Sequence, residues 1–436
     1  MQNKIVKNTG WIIGCRIIKS LLSVVITMLS ARYLGPANYG LINYAASIVA
    51  FFTPLMQLGL NATLVQDIVS YPEKEGETLG TALTMNLLSA MGCVIGIAAF
   101  STIANRGDAT TVIVCVLYSF LLIFQSLEMV QYWFQAKLLS KYTSIVMLIS
   151  YGIVSAYKST LLIRGASVYW FAVSQAIDFA IIAGALLILY GKIGTQKLKF
   201  SKQRAKQMFH ISKHYILSSL MVTVFAQTDK IMLKEMLGTN AVGLYSAATT
   251  CASIASFVFT AIIDSARPAI FAQAKKGKTA AEQGICVLYS IIIYLSLVQC
   301  IAITVFSRLV VRVLYGSDYM DAVPTLRIVV WFTLFSYLGS VRNIWILQEG
   351  KQRYLWIINV SGALTNVVIN FVLIPCWGIN GAATASLVTQ IFTNTVVGWF
   401  IKPIRPNNRL LWRGMDMRNL LQVIKAGNIA GEKHEN

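Results

Sequence analysis

Residues 79–104 read LGTALTMNLLSAMGCVIGIAAFSTIA, an unbroken run of 26 residues without one charged side chain. At about 1.5 Å per residue, a helix of that length covers the roughly 30 Å hydrocarbon core of a bilayer. The run is continuous and does not alternate in segments of about ten, which argues against a membrane β-barrel. The rest of the chain is of the same kind. Of 436 residues, 56% are hydrophobic and 12% charged, with a mean hydropathy of +0.64, against roughly 25% charged for a soluble domain. A water-soluble globule is excluded. So is disorder, because 20 Phe, 19 Tyr and 9 Trp carry far too much apolar surface. Backbone polar groups in lipid must close on themselves, so the fold class is an all-α polytopic membrane protein.

Twelve stretches are long enough to cross: 11–34, 39–62, 79–104, 110–134, 143–163, 167–190, 213–236, 241–264, 284–306, 322–347, 354–374 and 380–401. Helix breakers such as Gly35-Pro36, Pro72, Gly107-Asp108, Gly238, Gly277 and Pro375 fall at or beside the predicted loops. The basic N-terminus leads into an apolar stretch with no small-residue cleavage site, which reads as a retained first helix. Lys and Arg divide unevenly between alternate loops: one side carries 25 and the other six, Arg32, Arg106, Arg164, Lys234, Arg308 and Arg312. The richer side faces the cytoplasm by the positive-inside rule, with both termini inside. The formal charge of +20 therefore points to anionic lipid, and no nucleic-acid module is visible.

Leu34-Gly35-x4-Gly40-Leu41 returns as Leu237-Gly238-x4-Gly243-Leu244 at an offset of 203, with Ala45 matching Ala248. A weaker echo, Ile163-x-Gly165-Ala166 and Ile379-x-Gly381-Ala382, has an offset of 216. Together they predict two six-helix lobes related by a parallel pseudo-two-fold repeat. The expected organisation is an N-lobe at 1–190, a basic cytoplasmic linker at 191–212, a C-lobe at 213–401 and a basic tail at 402–436. In that tail Met417, Leu420, Leu421 and Ile424, with Arg413, Arg418 and Lys425, form a candidate helix lying on the inner leaflet.

The remaining signals are weaker. The seven cysteines lie singly in apolar segments and read as small core residues. Gly92-x3-Gly96 permits close helix contact in span three. His210-x3-His214 has metal-like spacing but no third ligand nearby, so no metal site is expected. Pro54 is expected to kink span two. Trp133, Trp170 and Trp399 are expected as interfacial belt residues. No nucleotide-binding loop is present and no cofactor is implied.

The stretches Ala31-Arg-Tyr-Leu-Gly-Pro-Ala-Asn-Tyr-Gly-Leu41, Thr228-Asp-Lys-Ile-Met-Leu-Lys-Glu-Met-Leu-Gly238 and Val242-Gly-Leu-Tyr-Ser-Ala-Ala248 resemble the polysaccharide-biosynthesis flippases. So do Leu314-Tyr-Gly-Ser-Asp-Tyr-Met320 and Asn370-Phe-Val-Leu-Ile-Pro-Cys-Trp-Gly-Ile-Asn-Gly-Ala-Ala383. These are the O-antigen type of the multidrug/oligosaccharidyl-lipid/polysaccharide exporter superfamily. The resemblance implies a twelve-helix, two-lobed transporter, and no enzyme. Its cargo would be an undecaprenyl-diphosphate-linked oligosaccharide, moved from the inner to the outer leaflet of the bacterial cytoplasmic membrane. Membrane lipids, a coupling ion (H+ or Na+) and polysaccharide polymerase partners are implied with it. The similar lipid II flippases usually carry two further spans, and drug or cation antiporters of the superfamily need acidic partners for cationic cargo. A membrane glycosyl polymerase would want a large outer loop, and the longest here, about 307–321, is short.

Nine ionisable residues fall within the predicted spans: Arg16, Lys19, Lys158, Lys230, Arg327 and Arg342, with Glu128, Asp178 and Asp229. Each costs about 2.5 to 3.5 kcal/mol or more facing lipid, so most should face an interior or a water-filled cavity. Arg16, Lys19 and Arg342 lie within roughly 7 to 12 Å of the predicted cytoplasmic boundary and are expected to meet a diphosphate there, Arg gripping phosphate in a bidentate manner. Lys158, Lys230 and Arg327 are expected to take over the headgroup toward the outer side. Asp229 is a candidate ion-pair partner for a base on another span, and the deep carboxyls Glu128 and Asp178 are candidate proton carriers.

Overall fold

A computed structural model describes residues 2–418, with side chains described throughout that stretch except at 2–13, 15–17, 21 and 276. Among the described residues the secondary structure is helical with no strand. The α-helices are α1 (Gln2–Gln57), α2 (Leu64–Ser70), α3 (Glu75–Ala104), α4 (Ala109–Ser119), α5 (Leu121–Glu128), α6 (Gln131–Ala136), α7 (Ser140–Ile163) and α8 (Val168–Ile193). They continue as α9 (Lys202–Leu237), α10 (Thr239–Ser253), α11 (Ser256–Lys276), α12 (Lys278–Leu314), α13 (Ala322–Gln348), α14 (Leu355–Ile391), α15 (Val397–Phe400) and α16 (Arg405–Gly414).

Among the described residues nine helical segments are long and apolar enough to cross a membrane, or ten when α10 and α11, bent by 45° at their junction, form one span. The two longest of the nine stand out. Ile18–Gln57 has 40 residues and Gln352–Phe400 has 49, about 60 and 74 Å of helix against a core of about 30 Å. Each is interrupted by a glycine in the left-handed region, Gly35 at φ 69° and Gly378 at φ 59°, with Pro36 or Pro375 close by. Only glycine enters that region without penalty, so these two residues kink what would otherwise be continuous helix.

The chain divides into two compact units, Met1–Gly243 and Leu244–Asn436. At one end of the first unit, Leu60, Leu64, Ile68, Leu79, Phe134, Leu186 and Met208 form a fully buried core. Trp133 joins it, 2% exposed and edge-on to Phe134 and Tyr190. It is a core residue and not the belt anchor expected from sequence; Trp170 and Trp399 are exposed. The predicted linker is pinned. Its residues 196–201 run as a strap along the start of α3, where Gly76 and Gly80 bring the backbones together: a Cβ would lie 2.5 Å from Lys197 O at Gly76 and 2.6 Å from Lys199 N at Gly80. Lys199 N donates to Gly76 O (3.2 Å), Gly76 N to Gln196 Oε1 (3.0 Å) and Ser201 N to Thr81 Oγ1 (3.0 Å). Beside it Lys137 Nζ pairs at 2.6 Å with the buried carboxylate of Glu75, which also accepts from Thr195 Oγ1 (2.9 Å). Helix α9 then begins at Lys202, eleven residues before the predicted span.

In the second unit α16 docks on α12. Tyr289 donates to Asn407 Oδ1 (3.0 Å), Ser290 to Gly414 O (2.5 Å) and Tyr294 to Met415 O (2.7 Å). Helix α16 precedes the one expected in the tail; helix resumes at Met417 and Arg418, and Leu420, Leu421, Ile424 and Lys425 of the expected helix lie outside the described residues. Two further expectations change. Gly92 meets nothing where a Cβ would sit, and of that glycine pair only Gly96 touches α1, at Phe52. Cys93, Cys115, Cys251, Cys286 and Cys300 are buried, but Cys376 is exposed, and Cys15 lies outside the described side chains.

Candidate functional site

The repeated glycine motif packs on itself within the first unit. A Cβ at Gly40 would lie 1.8 Å from Thr239 O and 2.6 Å from Gly243 N; one at Gly243 would lie 1.9 Å from Pro36 O. Pro36 and Thr239 are related by the offset of 203, as are Gly40 and Gly243. The contact is therefore reciprocal: equivalent residues of the two motif copies touch backbone to backbone, closer than any side chain allows.

From this seam the distal half of α1 runs beside α9. Tyr44 donates to Glu235 Oε1 (3.0 Å), Lys234 bonds Asn105 and lies 5.1 Å above the Tyr44 ring, and Ser47 donates to Gln227 Oε1 (3.1 Å). Asp108 caps α4 just outside these spans, and its hydrogen bonds from Thr111 hold its carboxyl below the usual range. Further along, the helices part around a cavity of about 400 Å³ lined by Ala50, Thr53, Pro54, Gln57, Ser218, Ser219, Val222 and Thr223. They meet again at Gly59, where a Cβ would lie 2.3 Å from Ser212 O. The polar lining is hydroxyls and amides without a charge, the donor and acceptor set that suits sugar hydroxyls. A second cavity, of about 160 Å³, takes Thr27, Ser30, Asn43, Ser174 and Gln175 with Lys158.

Four predicted residues come together inside this unit. Glu128 and Asp178 are buried, and Glu128 is within electrostatic reach of Lys19 and Asp178. Asp178 is likewise within reach of Lys158 and accepts from Ser150 Oγ at 2.6 Å. Lys19 Nζ stands 5.5 Å over the Tyr151 ring. The cluster draws on α1, α5, α7 and α8, and two bases balance two acids. Asp229 is buried and Lys230 half-buried on α9, where their charges act on each other. The side chain of Arg16 lies outside the described residues.

The other two bases lie in the second unit. Arg327 is exposed on α13 and donates from Nε to Ser307 Oγ (2.8 Å). Arg342, 6% exposed, donates to Thr393 O (2.8 Å) and to Asn343 Oδ1 (3.3 Å). Thr393 sits in a π-helical turn, Phe392–Val396, where the ordinary ladder is interrupted and carbonyls need other donors. Asn408 Nδ2 serves Thr395 O in the same turn (2.6 Å). Arg342 is therefore a clamp on that turn.

Sequence reasoning centred on charges missed the neutral lining. Its signal was present: Asn43, Ser47, Ala50, Pro54 and Gln57 recur at helical spacing on one face, as do Ser219, Thr223 and Gln227. Polar stripes facing each other across two spans avoid the cost of facing lipid.

Long apolar helices enclosing polar and charged groups define a multi-pass membrane protein. The chain matches the family described as polysaccharide biosynthesis protein over residues 5–274 and belongs to it. Among its relatives, the capsular polysaccharide biosynthesis protein CapF of Staphylococcus aureus is 22% identical over 410 residues, 92% of this chain and all of that one. The putative O-antigen transporter of Escherichia coli K12 is 20% identical over 396 residues, 87% of this chain and 91% of that one. The solved structure of the lipid II flippase MurJ in an inward closed conformation shares the fold, with a TM-score of 0.73 and 13% identity over 95% of this chain and 91% of that one. The motifs at 31–41 and 228–248 fall inside the family match, while those at 314–320 and 370–383 lie beyond it.

Proposed function

We propose that the protein flips an undecaprenyl-diphosphate-linked oligosaccharide, an O-antigen, capsule or exopolysaccharide repeat unit. Transport runs from the inner to the outer leaflet of the bacterial cytoplasmic membrane by alternating access. In this reading the helix breaks at Gly35 and Gly378, with α10–α11 as one span, bring the count to twelve, arranged as two duplicated six-helix lobes with both termini cytoplasmic. The observation that carries the proposal is the uncharged, hydroxyl- and amide-lined cavity between α1 and α9, stopped at one end by the reciprocal glycine seam. The seam is the outer gate, and its parting opens the path outward. Lys19, with Arg16 one turn earlier, meets the diphosphate. Glu128 and Asp178 exchange the coupling proton. The balance of Lys19 and Lys158 against these carboxylates leaves no excess acid for a cationic drug, which supports a sugar-lipid cargo.

The test is flipping in reconstituted vesicles containing defined lipid-diphosphate sugars, lipid II among them, under varied pH and Na+ gradients. Ser219→Leu with Thr223→Val fills the cavity with apolar groups and lowers flipping at least about tenfold, each lost sugar hydrogen bond being worth about 1 kcal/mol. Wild-type rates in that double variant would overturn the assignment.

A further inference from the structure

A second groove in the first unit is built differently from the polar path. Leu83, Leu87, Leu88 and Met91 of α3, Leu127 of α5 and Leu187 of α8 line an apolar trough of about 350 Å³, roofed at one end by the strap residues Leu198, Lys199 and Phe200. Its one hydroxyl, on Thr84, is already spent on Gly80 O at 2.8 Å. Past the strap nothing in the lining could receive a polar group.

The mouth is the opposite. From Lys192 to Lys213 the chain carries Lys192, Lys197, Lys199, Lys202, Arg204, Lys206 and Lys213, and no Asp or Glu occurs between Asp178 and Asp229. Lys192, Lys197, Lys199, Lys202 and Lys206 are exposed. The acids of neighbouring elements offset this only in part. Glu75 is taken by Lys137, and Asp67, whose carboxyl burial pushes up, answers Arg204; Arg204 itself donates to Thr78 Oγ1 (3.3 Å) and stacks on Tyr71. Glu77 stands in the first turn of α3 and Glu73 in the short turn just before it. Leu198, Lys199 and Phe200 all line the trough, and Lys197 and Lys199 are exposed at its mouth.

We infer that this trough is a resident site for an anionic phospholipid, with an acyl chain along α3 and the phosphate at Lys197 and Lys199. A transported lipid would need a polar route for its head, and this trough ends in leucines. Charge complementarity selects the anionic head over a zwitterionic one. The inference stands apart from the flipping cargo, since it uses α3, α5, α8 and the strap rather than the α1–α9 cavity.

The experiment uses the full chain in nanodiscs of mixed phosphatidylglycerol and phosphatidylcholine, with a photoreactive acyl chain on one lipid or the other. Labelling by phosphatidylglycerol concentrates in the peptide carrying Leu83–Met91 and exceeds that by phosphatidylcholine. Each surface lysine is worth about a factor of five, so Lys197→Gln with Lys199→Gln lowers that preference by about 25-fold. Leu87→Trp, which fills the trough and leaves the strap charges, removes the label from that peptide while phosphatidylglycerol still associates elsewhere. Equal labelling by the two lipids, or labelling of wild type confined to other helices, overturns the inference. So does displacement of phosphatidylglycerol by polyprenyl phosphate, which would make the trough a carrier site. The wild-type comparison needs no variant, so a misfolded mutant leaves the test intact.

Discussion

Gly40 and Gly243 hold the tightest approach in the first unit, and a methyl group on either would sit less than 2 Å from a carbonyl oxygen of the facing motif. Nothing flexible can give way there, because the atoms opposed are backbone. Gly40→Ala therefore pushes the seam apart; overpacking of about 1–3 kcal/mol moves an open–closed balance roughly five- to 150-fold. The expected result is loss of flipping in the vesicle assay with normal membrane insertion. Gly92→Ala, at an open position in α3, serves as the silent control. Asp178→Asn keeps the Ser150 contact but removes the carboxyl that the proposed proton coupling requires, so the pH profile of flipping should flatten; an unaltered profile would remove Asp178 from coupling. The charges themselves were legible in the sequence. Their pairing was not: Lys19, Glu128, Tyr151 and Asp178 come from four helices, and no spacing along one helix encodes a contact across four.

Among the elements, the π-turn at Phe392–Val396 shows how a buried charge is held without an acid. Arg342 gives hydrogen bonds to a carbonyl that the irregular turn exposes and lies beside Tyr289, whose hydroxyl is fixed by Asn407. Charge-assisted bonds of this kind contribute about 1.5–3 kcal/mol each. Arg342→Ala should lower the thermal unfolding temperature of the purified protein clearly, and Arg342→Lys should not restore it, because the ammonium lacks the planar fork. Flipping per folded molecule should stay near wild type, in contrast to a residue that grips diphosphate. The strap offers a second test at this scale. Glu75→Gln breaks the pair with Lys137, and the expected outcome is faster trypsin cleavage at Lys197 and Lys199, with the helices intact by circular dichroism. Helices were readable from apolar runs and breakers, but the strap was not: residues 191–201 look like an ordinary basic loop. Only the spacing Gly76-x3-Gly80 hinted at a backbone groove, and what lies in such a groove depends on tertiary packing.

For the whole molecule, the count of spans turns on whether 352–400 crosses once or twice. Crossing once would leave some 74 Å of helix for a core of about 30 Å and would bring Cys376 near the middle of the bilayer. Crossing twice puts the bend at Gly378, with Cys376 beside it at the far surface. Cys376 is the exposed member among the described cysteines, so the wild-type chain carries its own probe. A membrane-impermeant maleimide added outside intact cells should label the protein, and Cys376→Ser should remove most of that label. Labelling that appears only after the cells are opened would place the bend on the cytoplasmic side and reverse the topology drawn from the 25 basic residues. No labelling in either condition would bury the bend and return the count toward nine or ten. The same reagent applied to Ala37→Cys, exposed beside the Gly35 break, should report the same side, because an even number of spans lies between the two breaks in a duplicated arrangement.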